Sequence, residues 1–258
     1  MYIPKNYTMY ALFATTFTWL LTVLGSSMVF FFKKINKNFL DASLGIASGI
    51  MMSASFWSLL NPAINTAISL NQIPWLIISI GFIMGGIFIF ITDKIFQKKY
   101  RSKNSKEKRL ALMILSITMH NIPEGLAVGI AFGSIKYMIE GANITNALML
   151  TLAIGIQNFP EGSSISLPLR REGKTRFKSF IYGSLSAIVE PIFGIIGAIL
   201  TIKIRYMMPV FLSFAAGAMI YVIVQELIPE SQTNQNKSIM ALFTLIGFTI
   251  MMILDTAL

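Results

Sequence analysis

The groups able to do chemistry are few, and most lie in two short segments: His120-Asn121-Ile122-Pro123-Glu124-Gly125 and Gln157-Asn158-Phe159-Pro160-Glu161-Gly162. Residues three or four apart share a helix face, so on helices His120, Asn121 and Glu124 project together, as do Gln157, Asn158 and Glu161. A third carboxylate, Glu190, stands directly before Pro191. Imidazole, carboxylate and amide groups suit Zn2+, Fe2+, Mn2+ or Co2+, and the absence of cysteine excludes both a thiolate Cu(I) site and disulfides. His120 is the only histidine and sits one turn from Glu124, which favours a ligand role over packing. Met51 and Met219 offer thioethers at similar depth, but methionine fills gaps in many cores and this chain has 16.

The elements that must position these groups belong in a bilayer. The chain of 258 residues is 55% hydrophobic and 12% charged, more apolar side chain than one soluble core of this size buries. Apolar stretches of about 20 residues match the ~30 Å hydrocarbon thickness. They fall at about 7–32, 40–60, 74–93, 110–132, 146–168, 179–201, 209–229 and 238–256. The fold class expected is therefore all-α: a polytopic membrane protein of eight transmembrane helices forming a single transporter domain over residues 1–258. The first stretch follows only Lys5 and has no small-residue cleavage site, so it reads as a retained helix.

Charge placement sets the expected orientation. Assigning alternate loops to opposite sides puts seventeen of the 21 Lys and Arg on one side, including the basic run 94–109. By the positive-inside rule that side is cytoplasmic, and both termini face outward from a cell membrane. The formal charge of +10 then reads as a basic loop beside anionic lipid, with no nucleic-acid partner.

Glu124, Glu161 and Glu190 each lie about ten residues into a span, ~15 Å deep by helical rise. A charge at that depth costs at least ~2.5 kcal/mol, and no Lys or Arg falls inside a span to offset it. Protons or bound cations remain. Pro123 and Pro160 have no amide hydrogen and release the carbonyls of Met119 and Ile156, so the two segments are expected to form a polar, kinked, two-helix cage. A second echo pairs Gly45-Ile46-Ala47-Ser48-Gly49-Ile50-Met51 with Ser213-Phe214-Ala215-Ala216-Gly217-Ala218-Met219. Their spans are five apart and cross in opposite directions, the mark of an inverted repeat in a 3+2+3 arrangement. The plainer alternative is close helix packing by small residues.

Other classes fit less well. A metalloprotease of the HExxH type needs two histidines on one helix. Aspartyl proteolysis needs two central Asp residues, whereas Asp41, Asp93 and Asp255 lie near span ends. An enzyme is not expected. A proton-coupled carrier of an organic substrate lacks recognition groups at mid-depth.

HNIPEG, QNFPEG, the Glu190-Pro191 pair, SFWSLLNPA, FAAGAM and ELIPES together resemble the Zrt/Irt-like protein (ZIP) family of metal transporters, especially its prokaryotic branch. The resemblance runs from about residue 41 to 231. It implies transport of Zn2+ into the cytoplasm through two neighbouring sites holding up to two ions. His120, Glu124, Glu161, Gln157 and Met51 would form the first site. Asn121, Asn158 and Glu190 would form the second, with Glu124 and Glu161 bridging both. Glu226 matches a family acid on the cytoplasmic exit, which Asp41 would share. Asn158 stands where some members have Asp, Gln225 where relatives have His or Glu, and the 94–109 loop lacks their histidine clusters. A homodimer is compatible with the sequence but not required by it.

Overall fold

A computed structural model describes residues 6–31, 36–99, 105–136, 142–233 and 235–257. Among these there is no strand. Eight long helical units follow one another: α1 (Tyr7–Phe31), α2 (Lys37–Ser69), α3 (Pro74–Lys99), α4 (Ser105–Lys136), α5 (Ile144–Arg171), α6 in two pieces (Arg176–Leu185 and Val189–Ile204), α7 (Met208–Ser231) and α8 (Lys237–Ala257). Among the described residues, α1, α2, α3, α6, α7 and α8 are each long and apolar enough to cross a membrane. The protein is a multi-pass helical membrane protein.

The helices outrun the apolar stretches. α2 extends well past both ends of 40–60, and α3 and α4 reach Lys99 and Ser105, so much of the run expected to be a 94–109 loop is helix. Hydropathy marks where hydrocarbon ends, whereas the backbone ladder continues until a cap or a breaker stops it. Asn143 caps α5 by accepting from the Asn146 amide at 2.8 Å.

Four close pairings organise the bundle: α1 with α5, α4 with α6, α2 with α8 and α3 with α7. Helices α1, α4, α5 and α6 gather on one side, and α2, α3, α7 and α8 on the other. Glycines let backbones touch in each pair. A Cβ on Gly49 would collide with the Thr244 carbonyl, and one on Gly247 with that of Ile46. In the α3–α7 pair Gly217 meets the Phe82 carbonyl and Gly85 that of Phe214. Gly25 meets Phe159 and Gly162 meets Thr22 between α1 and α5; Gly197 meets Leu126 and Gly129 meets Gly194 between α6 and α4. Exchanging α1 with α6, α2 with α7, α3 with α8 and α4 with α5 leaves this set of contacts unchanged.

Pro123 and Pro160 sit within unbroken helices, not at breaks. The break falls in α6, between Leu185 and Val189. Pro191 has no amide to offer the Ala187 carbonyl, which accepts the Glu190 amide instead at 3.0 Å. α2 and α7 each widen into a π-helical segment, Ser55–Leu60 and Ile223–Leu227. Asn61 N–H bonds the Phe56 carbonyl and Ile228 N–H that of Ile223, each just before a proline, Pro62 or Pro229.

Candidate metal centre

Glu124 comes from α4, Glu161 from α5 and Glu190 from the first turn of the second piece of α6, and all three are buried. Gly125 permits this meeting, since a Cβ there would run into the Glu190 backbone. The two hexapeptides face each other: Gln157 Nε2 donates to Glu124 Oε1. The Asn121 side chain interacts with the Glu161 carboxylate, which also feels the Glu190 charge.

Glu190 is the most heavily held. Asn158 Nδ2 lies 2.8 Å from its Oε1 and 2.9 Å from its Oε2, and the Thr18 hydroxyl of α1 donates to Oε2. Asn158 Nδ2 also reaches the Thr18 carbonyl at 3.2 Å. Asn121 Nδ2 donates at 3.2 Å to the Ser186 carbonyl in the break of α6. The cage is thus built by four helices, not two, because the break in α6 and the hydroxyl of α1 both turn polar groups inward.

The amides are used on one side only. Their nitrogens hold carboxylates or carbonyls, while Asn121 Oδ1, Gln157 Oε1 and Asn158 Oδ1 are buried and receive no hydrogen bond. An acceptor left so costs ~1–3 kcal/mol. Three such acceptors on the side chains that hold Glu124, Glu161 and Glu190 are oxygen donors of the kind that suits a cation. Among the described residues no three His, Cys, Asp or Glu side chains are already close enough to clasp one ion. His120 lies in α4 one turn before Glu124, but its side chain is outside the described residues.

Met51 and Met219 are buried in the main apolar cluster, on α2 and α7 rather than on the helices of the carboxylates. Asp41 is buried near the N-terminal end of α2, where its carbonyl accepts the Ser231 hydroxyl of α7 at 2.8 Å. Glu226 is half-buried in the π segment of α7; it and Asp93 of α3 both act electrostatically on Tyr221. Asp93, placed by its sequence position at a span end, is buried. Arg171 of α5 lies 3.9 Å from Glu230 of α7, an ion pair between the two groups of helices.

Thr18 is the residue that motif reading misses. Its signal is the run Thr15, Thr18, Thr22 and Ser26, all buried, at helical spacing along one face of the otherwise apolar α1.

A multi-pass helical protein that gathers carboxylates and amide oxygens at the meeting of four helices belongs to the class that handles cations inside the bilayer. A family model described as ZIP Zinc transporter matches residues 102–255. Zinc transporter ZIP11 of Bos taurus is 34% identical, over 96% of this chain and 97% of that protein. Zinc transporter ZupT of Clostridium perfringens is 30% identical, over 96% and 95%. Zinc transporter ZIPB of Bordetella bronchiseptica is 29% identical, over 92% and 77%. The chain belongs to the ZIP zinc transporter family.

Proposed function

We propose that this protein carries divalent transition-metal ions, Zn2+ foremost, into the cytoplasm through the cluster at Glu124, Glu161 and Glu190. The observation that carries the reading is the set of three buried amide oxygens without donors beside three buried carboxylates. Bound cations would take up these oxygen groups, divided between two neighbouring ions. The relatives' names point to zinc as the cargo.

The first ion takes His120, Glu124, Gln157 and Glu161, with Met51 as a thioether from the opposite group of helices. The second takes Asn121, Asn158 and Glu190, with Glu124 and Glu161 bridging. Asp41 and Glu226 receive the ion on the cytoplasmic side. Both termini face outward, as the basic asymmetry requires. Helices α1–α3 and α6–α8 form an inverted repeat flanking α4 and α5; the exchange of glycine contacts supports it. Transport then proceeds as one group of helices shifts against the other.

The test is uptake in liposomes of purified protein, offering Zn2+, Fe2+, Mn2+, Cd2+ and Mg2+ with and without imposed gradients. Borderline donors of this kind should take Zn2+, Cd2+ and Fe2+ with poor discrimination. Transport of Mg2+ with no response to Zn2+ would overturn the assignment.

A further inference from the structure

Thr18 lies outside both hexapeptides, on a helix that contributes no carboxylate, yet it makes two contacts with site side chains. Its hydroxyl donates to Glu190 Oε2 and its carbonyl accepts Asn158 Nδ2 at 3.2 Å. The same Nδ2 spans both oxygens of Glu190. One carboxylate therefore ties α1, α5 and α6 together, and all three residues are fully buried.

We propose that Thr18 is a positioning residue of the transport site, a hydroxyl rotor that holds Glu190 in the metal-free protein and yields it to the second ion. This rests on the two-ion reading above. A hydroxyl has one hydrogen and two lone pairs. The Thr18 oxygen also lies 3.0 Å from the Thr15 carbonyl, so that hydrogen has two settings. Turned to Glu190, it satisfies Oε2 and fixes the carboxylate. Turned to Thr15, it makes the ordinary back-bond of a helical threonine and leaves a lone pair toward Glu190, where a cation on that carboxylate would sit.

Glu190 needs such a hold because of where it stands. It opens a helix directly after the break in α6 and precedes Pro191, so the ladder around it is incomplete. Asn158 works in parallel: its NH2 group faces Glu190 while its oxygen has no donor. Rotation of both side chains exchanges two hydrogen-bond donors for two oxygen lone pairs without moving a helix. The arrival of the second ion then requires no large rearrangement of α1.

The experiment is equilibrium binding of zinc to the purified full chain, resolving both stoichiometry and the two affinities. Thr18→Val keeps shape but has no hydroxyl, and should weaken the second ion about tenfold while sparing the first. Thr18→Ser keeps the hydroxyl and should restore it. A wild-type chain that binds a single ion overturns the two-ion reading and this inference together. Two ions in the wild type with Thr18→Val unaffected overturn this inference alone. Equal loss of both ions in Thr18→Val, or no rescue by Thr18→Ser, also refutes it, since packing and not the hydroxyl would then be responsible.

Discussion

Replacing Asn158 by Asp converts a donor into an acceptor at the point where the proposed second ion would be held. Asn158 Nδ2 now sits 2.8 and 2.9 Å from the two oxygens of Glu190. Two carboxylates at that spacing, with an effective dielectric of about 20, repel by about 6 kcal/mol. The metal-free variant must therefore share a proton between them or swing them apart. A divalent ion between the two removes the repulsion and gains a ligand charge. If only a quarter of the repulsion, about 1.4 kcal/mol, is recovered on binding, affinity rises tenfold. The sign with pH follows from proton displacement: the variant releases one more proton with the second ion, so its affinity climbs more steeply as pH rises and its advantage fades in acid. Calorimetry of zinc binding in buffers of different ionisation enthalpy, between about pH 5 and 8, counts those protons directly. Equal proton release and equal affinity in Asn158→Asp and wild type would refute the reasoning.

Glu124→Gln and Glu161→Gln should each lose transport and most zinc binding, because in the proposed two-ion site each would bridge both ions, whereas Glu190→Gln should be milder; zinc titration with liposome uptake separates the three. In the wild type, zinc affinity should fall as pH drops, since the ligands must release protons to bind, and a titration independent of pH would show the carboxylates to be structural. A single cysteine placed within 94–109 should be labelled only from the cytoplasmic side and one near Asn71 only from outside, a clean test in a chain without cysteine; reversed labelling at both would invert the topology. Gly49→Ala should lower the unfolding temperature in detergent by a loss of about 1–3 kcal/mol, because its Cβ meets the Thr244 backbone. An unchanged midpoint would mean α2 and α8 are not in contact there.

The gross architecture was legible because a bilayer demands apolar runs of fixed length, and the eight helical units each overlap one such run. Their ends were not, since helices continue past the hydrocarbon until a cap or proline stops them. The hexapeptides put Glu124, Gln157, Asn158 and Glu161 forward by spacing alone; in the structure Gln157 bonds Glu124, Asn121 interacts with Glu161 and Asn158 bonds Glu190. Pro123 and Pro160 lie within continuous helices, and the break in α6, where Pro191 leaves the Ala187 carbonyl without its usual partner, was not legible because Glu190-Pro191 does not by itself say where a helix parts. The π segments were beyond reach, because one extra residue in a turn leaves no mark on hydropathy. Thr18 was within reach: its buried Thr and Ser neighbours on α1 repeat at helical spacing, but a hydroxyl in an apolar helix commonly back-bonds its own carbonyls, so the pattern alone does not distinguish a site from a seam.

The glycine contacts that relate the two halves also say which residues are counterparts. They carry Leu126 onto Phe159 and Gly129 onto Gly162, hence Glu124 onto Gln157 and Glu161 onto Val128. The two hexapeptides look like copies, yet they are out of step with that exchange by one helical turn, ~6 Å. In a carrier that offers its cargo to each face in turn, a frame that reads alike from both sides would leave the two resting orientations nearly degenerate. On the proposed inverted repeat, the offset hexapeptides are the part of the molecule that does not read alike from both sides, so under that proposal a preference for resting open to one face would originate at the cargo seat.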